Sequence, residues 1–138
     1  MREGLAVAVA EAYVVAAEQS SAGERKTWLR KARRACRDAM KASRTARHRK
    51  PEVLLLRGRL AWITNRHAAA VRDWQRSLAL AKAAGQQFDL GRVHLEMGRR
   101  LGDRDHLERA EAILAEIGAE WDLACAREAL GAPGSASA

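Results

Sequence analysis

The sequence predicts an all-α protein, on three observations. Ala, Leu, Arg and Glu, which are good helix formers, are common among the 138 residues. Proline is nearly absent, since only Pro51 and Pro133 occur. No run of Val and Ile alternates with polar residues, as a half-buried strand requires. The chain is therefore expected to fold as stacked antiparallel helical hairpins joined by short turns.

Apolar spacing and turn residues indicate a single helical-repeat domain over residues 1–130. The last segment, residues 131–138, has no apolar side chains to bury and is expected to be disordered. The expected elements are about three hairpins, at residues 2–48, 51–84 and 88–117, and a C-terminal capping helix at residues 121–130.

Local patterns predict the ends of several helices and a small-residue face on the first. The second helix is expected to continue to about His48, before Pro51 begins the third. On the first helix, a face of mostly small residues recurs at helical spacing: Leu5, Val9, Ala12 and Ala16. The residue pairs expected to form capping boxes are Ser21 with Glu24 and Asp105 with Glu108, and the expected helix-ending glycines are Gly85 and Gly118.

Positive charge is concentrated in one segment. Residues 25–50 contain 12 Lys and Arg against one acid, Asp38, while the whole chain carries +8. On the predicted second helix the cations recur every three or four residues and form one outward face, for which the proposed partner-binding residues are Arg30, Arg33, Arg34, Arg37, Lys41 and Arg44. Like charges one turn apart cost about 0.2–0.5 kcal/mol per pair. A negatively charged partner would offset this repulsion, although a solvated face is the simpler alternative.

Two hairpins share one spacing of residues. Gaps of 12, 4 and 3 residues separate the members of each set, and the sets are offset by 40 residues. The structural repeat positions are Gly58, Ala70, Trp74 and Ser77 in one set and Gly98, Ala110, Leu114 and Ile117 in the other. Gly and Ala allow two helices to approach closely, and the large residue one turn later is expected to fill the space beside the crossing.

This spacing resembles the tetratricopeptide repeat, with Arg57 standing where that family usually has Leu. The resemblance implies an α-solenoid that binds other proteins. It also places three arginines, Arg59, Arg92 and Arg99, on first-helix positions that face the concave groove of such repeats. Trp62 falls on the same side and is interpreted either as an anchor for a partner or as a contact between repeats.

A second resemblance covers the chain from the PEVLLLRG segment at Pro51 to the GAEWDLA segment at Gly118. These segments are similar to the C-terminal helical tail of large bacterial signalling proteins that join a protein kinase or nucleotide cyclase domain to a signalling ATPase domain. The resemblance implies a scaffold module whose partner is a protein or an acidic domain of the parent protein. The alternative function is nucleic-acid binding through the basic helix at residues 25–50, but the sequence has no DNA-binding motif and no interleaved aromatic residues.

Catalytic chemistry is not expected. The four histidines form no pair at a spacing of four residues, and no phosphate-binding glycine loop or kinase catalytic loop occurs. Cys36 and Cys125 are far apart and are expected to be free thiols, so neither a metal nor a cofactor is predicted. No apolar run approaches a membrane-spanning length, and a cytoplasmic location is expected. The sequence makes no prediction of oligomeric state.

Overall fold

The computed structural model of the protein describes residues 2–131. These residues form seven α-helices and one 3-10 helix, and no strand occurs among them, which confirms the all-α prediction. Gly131 was expected to begin the disordered tail but is the last residue of the seventh helix, and the rest of the predicted tail, residues 132–138, lies outside the described residues.

Short turns join the helices. The chain order is α1 (Arg2–Gln19), α2 (Ala22–Ala42), a 3-10 helix (Arg47–Arg49), α3 (Lys50–Ile63), α4 (His67–Ala84), α5 (Gln87–Leu101), α6 (Arg104–Ile117) and α7 (Glu120–Gly131). The described residues belong to two compact units, of which the first ends at Ser77 and the second begins at Leu78. The single solenoid domain over residues 1–130 stays a prediction.

The first unit has a core of small and branched side chains. α1 packs against α2, and α3 packs against both. The buried residues of this core are Val7, Ala10 and Val14 from α1, Ala32, Ala35, Cys36 and Ala39 from α2, and Val53, Leu56 and Leu60 from α3. Alanine and cysteine predominate on α2, so α1 can approach it closely.

The small-residue face that helical spacing marks on α1 is not the buried one. Leu5 is 65% exposed and Val9 is 38% exposed, whereas Val7 and Val14 are buried on another side of the helix. Apolar residues occur on every side of α1, so helical spacing alone does not select a face. Tertiary packing against α2 makes that choice.

The second helix ends earlier than predicted, at Ala42 instead of about His48. The Ser43 hydroxyl donates to the Met40 carbonyl at 2.7 Å, and the Thr45 hydroxyl donates to the Ala42 carbonyl at 3.1 Å. These local bonds compete with continuation of the helix, and Ala46 then leaves helical geometry with φ −105° and ψ 70°. Arg44 therefore lies just beyond α2 instead of on its face.

Two predicted caps also differ in detail. Ser21 stands at the N-cap of α2, but its hydroxyl makes no capping hydrogen bond. Asp103, and not Asp105, caps α6 by accepting a hydrogen bond from the His106 backbone N–H at 3.2 Å. At the other ends, Gly85 and Gly118 take the left-handed conformation expected of helix-ending glycines, with φ 69° and 73°.

α3 and the first part of α4 approach closely at Gly58. A Cβ atom at this position would lie 2.2 Å from Nε1 of the fully buried Trp74. The same Nε1 donates to the Leu55 carbonyl at 3.2 Å, and the Ser77 hydroxyl donates to the Pro51 carbonyl at 2.7 Å. These bonds satisfy buried polar groups and hold the two helices in one register.

In the second unit α5 packs against α6, and α6 packs against α7. The buried residues of this core are Leu95, Leu107, Ala110, Leu114 and Ala126. The repeat spacing predicts that Leu114 fills the space beside Gly98. Instead, a Cβ atom at Gly98 would meet Leu107, and one at Gly91 would meet Leu114.

Candidate functional site

The basic face predicted on α2 is divided by the structure. All six cations, from Arg30 to Arg44, are exposed. Four of them line one cavity: Arg33, Arg37, Lys41 and Arg44. Arg34 lines a second, largely apolar cavity between α1 and α2, and Arg30 lines neither. One continuous stripe in the sequence is thus two surfaces in the fold.

The cavity that receives four of these side chains is a groove of about 880 Å³ in the first unit, here called the basic groove. Residues from α2, α3, the first part of α4 and the connections between these helices line it. Its cations are Arg33, Arg37, Lys41, Arg44, Lys50, Arg57, Arg66 and Arg72, and its acids are Asp38 and Asp73. Eight cations against two acids make the groove strongly attractive to negative charge.

Half of the groove cations were missed by sequence analysis. Lys50, Arg57, Arg66 and Arg72 lie outside the predicted stripe, and folding brings them to the same cavity. The repeat register contained part of this information. Gly58 meets Trp74 sixteen residues later, so the same separation places Arg57 beside Asp73.

Arg57 and Asp73 form a bidentate ion pair in the groove. Nε and Nη2 of Arg57 each donate to a carboxylate oxygen of Asp73 at 2.8 Å. The Asp73 side chain is 15% exposed, while that of Arg57 is 41% exposed. One of the two groove acids is therefore engaged, and its partner is held in place with part of its guanidinium facing solvent.

The groove has an apolar floor beneath its charged rim. The apolar lining residues are Cys36, Met40, Leu60, Ala61 and Ala69. Burial raises the pKa of the Cys36 thiol to about 11, although the nearby Arg57 guanidinium lowers it. At neutral pH this thiol is protonated and is a poor nucleophile. Its contribution to the groove is apolar surface.

The three arginines assigned to a concave groove all have partners. Arg59 donates to Glu18 of α1 at 3.0 Å. In the second unit, Arg92 lies 5.6 Å from the centre of the Phe88 ring, and Arg99 donates to Glu96 at 3.3 Å. Arg59 belongs to one compact unit and the other two to the second.

Trp62 makes aromatic contacts within its own hairpin. Its ring stacks on that of His67 with centroids 3.8 Å apart, and it lies 5.6 Å from the Trp74 ring at a tilt of 32°. The side chain is half-buried. Trp62 thus extends the packing around Trp74 toward the turn between α3 and α4.

The second unit contains a pair of histidines that sequence spacing did not reveal. Nδ1 of His94 lies 2.9 Å from Nδ1 of His106, so one nitrogen donates and the other accepts. Burial, together with the charges of His106, Arg109 and Lys82, lowers the pKa of His94 to about 4. His94 is therefore neutral at physiological pH.

The described residues contain neither a metal-binding cluster nor a membrane-spanning helix. Between residues 2 and 131, no group of three or more His, Cys, Asp and Glu side chains is arranged to hold a metal ion. In the same range, none of the helices has both the length and the apolar character needed to cross a membrane.

Comparisons with protein-family models, with curated proteins and with solved structures each find no match for this chain. The basic groove is the feature of the described residues that combines a defined cavity, concentrated charge and apolar surface. Such a combination is typical of sites that bind another molecule.

Proposed function

We propose that this chain is a non-catalytic protein–protein interaction module that binds its partner in the basic groove. The observation that carries the proposal is the convergence of eight cations from three helices and their connections on one cavity with an apolar floor. Charge on the rim attracts and orients a partner, and apolar surface contributes affinity when it is buried.

Electrostatics within the unit support the same proposal. The first 77 residues contain 18 Lys and Arg against 7 Asp and Glu, a net charge of +11, whereas residues 78–138 have a net charge of −3. Cations crowded around one cavity repel each other, and an acidic partner would relieve that repulsion. Of the two groove acids, Asp73 is occupied by Arg57.

The wider context is proposed from the sequence alone. The similarity to helical-repeat tails suggests that the chain is a tetratricopeptide-like scaffold part of a bacterial signalling or regulatory protein. Within that proposal the partner is a second protein or an acidic domain of the parent protein. The finding of an in-frame kinase, cyclase or ATPase domain in the same gene would support this context.

Nucleic-acid binding is the second candidate, because the charge of +11 on the first 77 residues favours any polyanion. The affinity for a polyanion that is bound by overall charge depends on how many surface cations are removed. The affinity for a partner that binds in the groove depends on which cations are removed. Two matched triple variants on α2 separate these cases.

The groove variant carries Arg33→Glu, Arg37→Glu and Lys41→Glu, and the control variant carries Lys26→Glu, Arg30→Glu and Arg34→Glu. All six side chains are exposed cations of α2, so the two variants change the net charge equally. The control cations do not line the basic groove. Far-UV circular dichroism should show unchanged helicity in both variants.

The test is affinity capture from a nuclease-treated lysate, followed by reconstitution with each purified candidate. We expect partners that the wild type and the control variant retain and that the groove variant loses. An identical set of partners for all three proteins would remove the groove from consideration. Equal loss in both variants, with steep dependence on salt and no sequence preference, would support nucleic acid instead.

A further inference from the structure

We infer that the occupant of the basic groove is a short acidic segment of a partner protein, in which carboxylate side chains are interspersed with aliphatic ones. This inference rests on the proposed function and specifies its partner. Charge on the rim and apolar surface on the floor each place one requirement on the occupant.

The rim requires carboxylates distributed along the segment. Three helices supply cations to the groove, for example Arg37 on α2, Arg57 on α3 and Arg72 on the first part of α4. A single acidic residue cannot satisfy cations supplied by three helices. Guanidinium groups also favour carboxylates because the two groups match in bidentate geometry, as Arg57 and Asp73 already do within the groove.

The α2 side of the groove limits how much of the partner can be bound. Arg33, Arg37 and Lys41 mark this side of the groove. They span two helical turns, a length of about 12 Å at 1.5 Å per residue. Such a length accommodates about four residues of extended chain at 3.3 Å each. The groove therefore suits a linear segment better than the surface of a folded domain.

The floor requires aliphatic side chains. Met40 is half-buried and packs on the core, and Leu60 and Ala69 contribute further apolar surface. A segment made only of Asp and Glu would leave this surface uncovered. An interspersed Leu, Ile or Val would bury it, and burial of a single aliphatic side chain changes affinity by about tenfold or more.

The lining also argues against nucleic acid. None of the described side chains that line the basic groove is aromatic, so unpaired bases would find no ring on which to stack. Phosphates could contact the rim, but the apolar floor would remain without a partner. The observations thus favour an acidic peptide, and nucleic acid becomes an outcome of the test.

Fluorescence anisotropy with three labelled probes tests the inference on the full chain. The probes are a soluble peptide of repeated Glu-Glu-Leu, a poly-Glu peptide of equal net charge, and single-stranded oligo-dT. We expect the wild type to bind the Glu-Glu-Leu peptide about tenfold more tightly than poly-Glu. The groove variant should lose at least about tenfold in affinity for that peptide, and the control variant less than about threefold.

A floor variant separates the apolar requirement from the charge requirement. Met40→Gln keeps the length of the side chain and removes its apolar end. It should reduce the preference for Glu-Glu-Leu over poly-Glu while leaving poly-Glu affinity unchanged. A fold check by circular dichroism accompanies the measurement.

Each contrary result has a distinct meaning. Equal affinity for the two peptides, lost in the groove variant, would overturn the aliphatic requirement and leave the protein-binding function intact. Tightest binding of oligo-dT, weakened equally by both triple variants, would overturn the inference and the proposed function together. No binding of Glu-Glu-Leu by the wild type would overturn the inference, whereas affinity capture decides the function independently.

Discussion

Gly58 and Gly98 occupy equivalent positions in the sequence repeat, yet they stand against different neighbours in the two units. Gly58 faces Trp74, sixteen residues later, and the indole Nε1 also donates a hydrogen bond to the Leu55 carbonyl. Gly98 faces Leu107, only nine residues later, and Leu114 packs at Gly91 instead. A shared spacing of Gly, Ala and a large residue therefore specifies close helix approach, but it does not specify which side chain meets the glycine.

The two units also differ in how their charged residues are arranged. In the first unit, eight of the 18 Lys and Arg residues line a groove. In the second, Glu96 is buried and accepts hydrogen bonds from Arg99 and Arg100 at 3.3 and 2.7 Å. The same residue types thus surround a groove in one unit and pair with a buried carboxylate in the other.

The largest expected effect is the loss of stability when the large buried residue of each unit, Trp74 or Leu114, is truncated. Trp74→Ala should destabilise the first unit by about 3–5 kcal/mol, because it empties a fully buried site and removes the indole hydrogen bond to the Leu55 carbonyl. Leu114→Ala should cost the second unit less, about 2–4 kcal/mol. Urea titration followed by circular dichroism measures both, with hydrogen exchange assigning the loss to α3 or α6. A larger cost for Leu114→Ala would reverse the comparison.

The second effect concerns pH and is confined to the second unit. The pKa of His94 is about 4 in the folded protein, below the value of about 6.5 in the unfolded chain. The unfolded state therefore binds an extra proton between these values. The contribution of neutral His94 is fully present above about pH 6.5 and is lost as the pH falls to about 4, by at most about 3 kcal/mol.

His94→Asn should reduce this loss, since no imidazole then titrates at that position. Carboxylates contribute to acid unfolding in both the wild type and His94→Asn. The difference in pH dependence between these two proteins therefore isolates the contribution of His94. His48→Asn is the matched control, because His48 is exposed and lies in the first unit. The free energy of unfolding is measured from neutral pH to about pH 4.5. Equal pH dependence of wild type and His94→Asn would contradict the prediction.

The smallest effect compares glycines. Gly58→Ala should destabilise by about 1–3 kcal/mol, since the new methyl group would lie 2.2 Å from an indole that is hydrogen-bonded and cannot move away freely. Gly91→Ala should cost less, because its nearest neighbour is the Leu114 methyl at 2.8 Å, the end of a side chain that can rotate. Alanine also favours helix over glycine by about 1 kcal/mol, which offsets part of each cost.

Thermal unfolding of the two glycine variants provides the comparison. A stabilised Gly58→Ala protein would show that the indole relaxes and that the close approach is not restrictive. A cost at Gly91 equal to that at Gly58 would show that side-chain mobility does not distinguish the two sites.

Part of the fold could be predicted because local chemistry determines it. Composition was sufficient for the all-α class, and Gly85 and Gly118 end their helices because glycine adopts positive φ without a steric penalty. The end of α2 was missed, since the competing bonds of Ser43 and Thr45 to nearby carbonyls leave no distinctive pattern in the sequence. The buried face of α1 was missed for a different reason, since its apolar residues surround the helix.

The candidate site shows the same division. Arg33, Arg37 and Lys41 were predicted to share one exposed face because helical periodicity places them together. Arg66 and Arg72 were not, because they lie outside α2, in the turn before α4 and on α4 itself, and join the groove only through packing. Arg34 was assigned to the same face and instead lines the cavity beside α1, since a face of a helix becomes two surfaces when neighbouring helices divide it.

The sequence by itself determined that this protein is helical, that glycines permit close helix contacts, and that positive charge is concentrated before Pro51. These properties follow from residue type and from spacing along one helix. Only the tertiary structure decided that Gly58 meets Trp74 while Gly98 meets Leu107, and that cations from three helices surround one apolar floor. Contacts between distant residues depend on how whole helices pack, and helical periodicity describes one helix at a time.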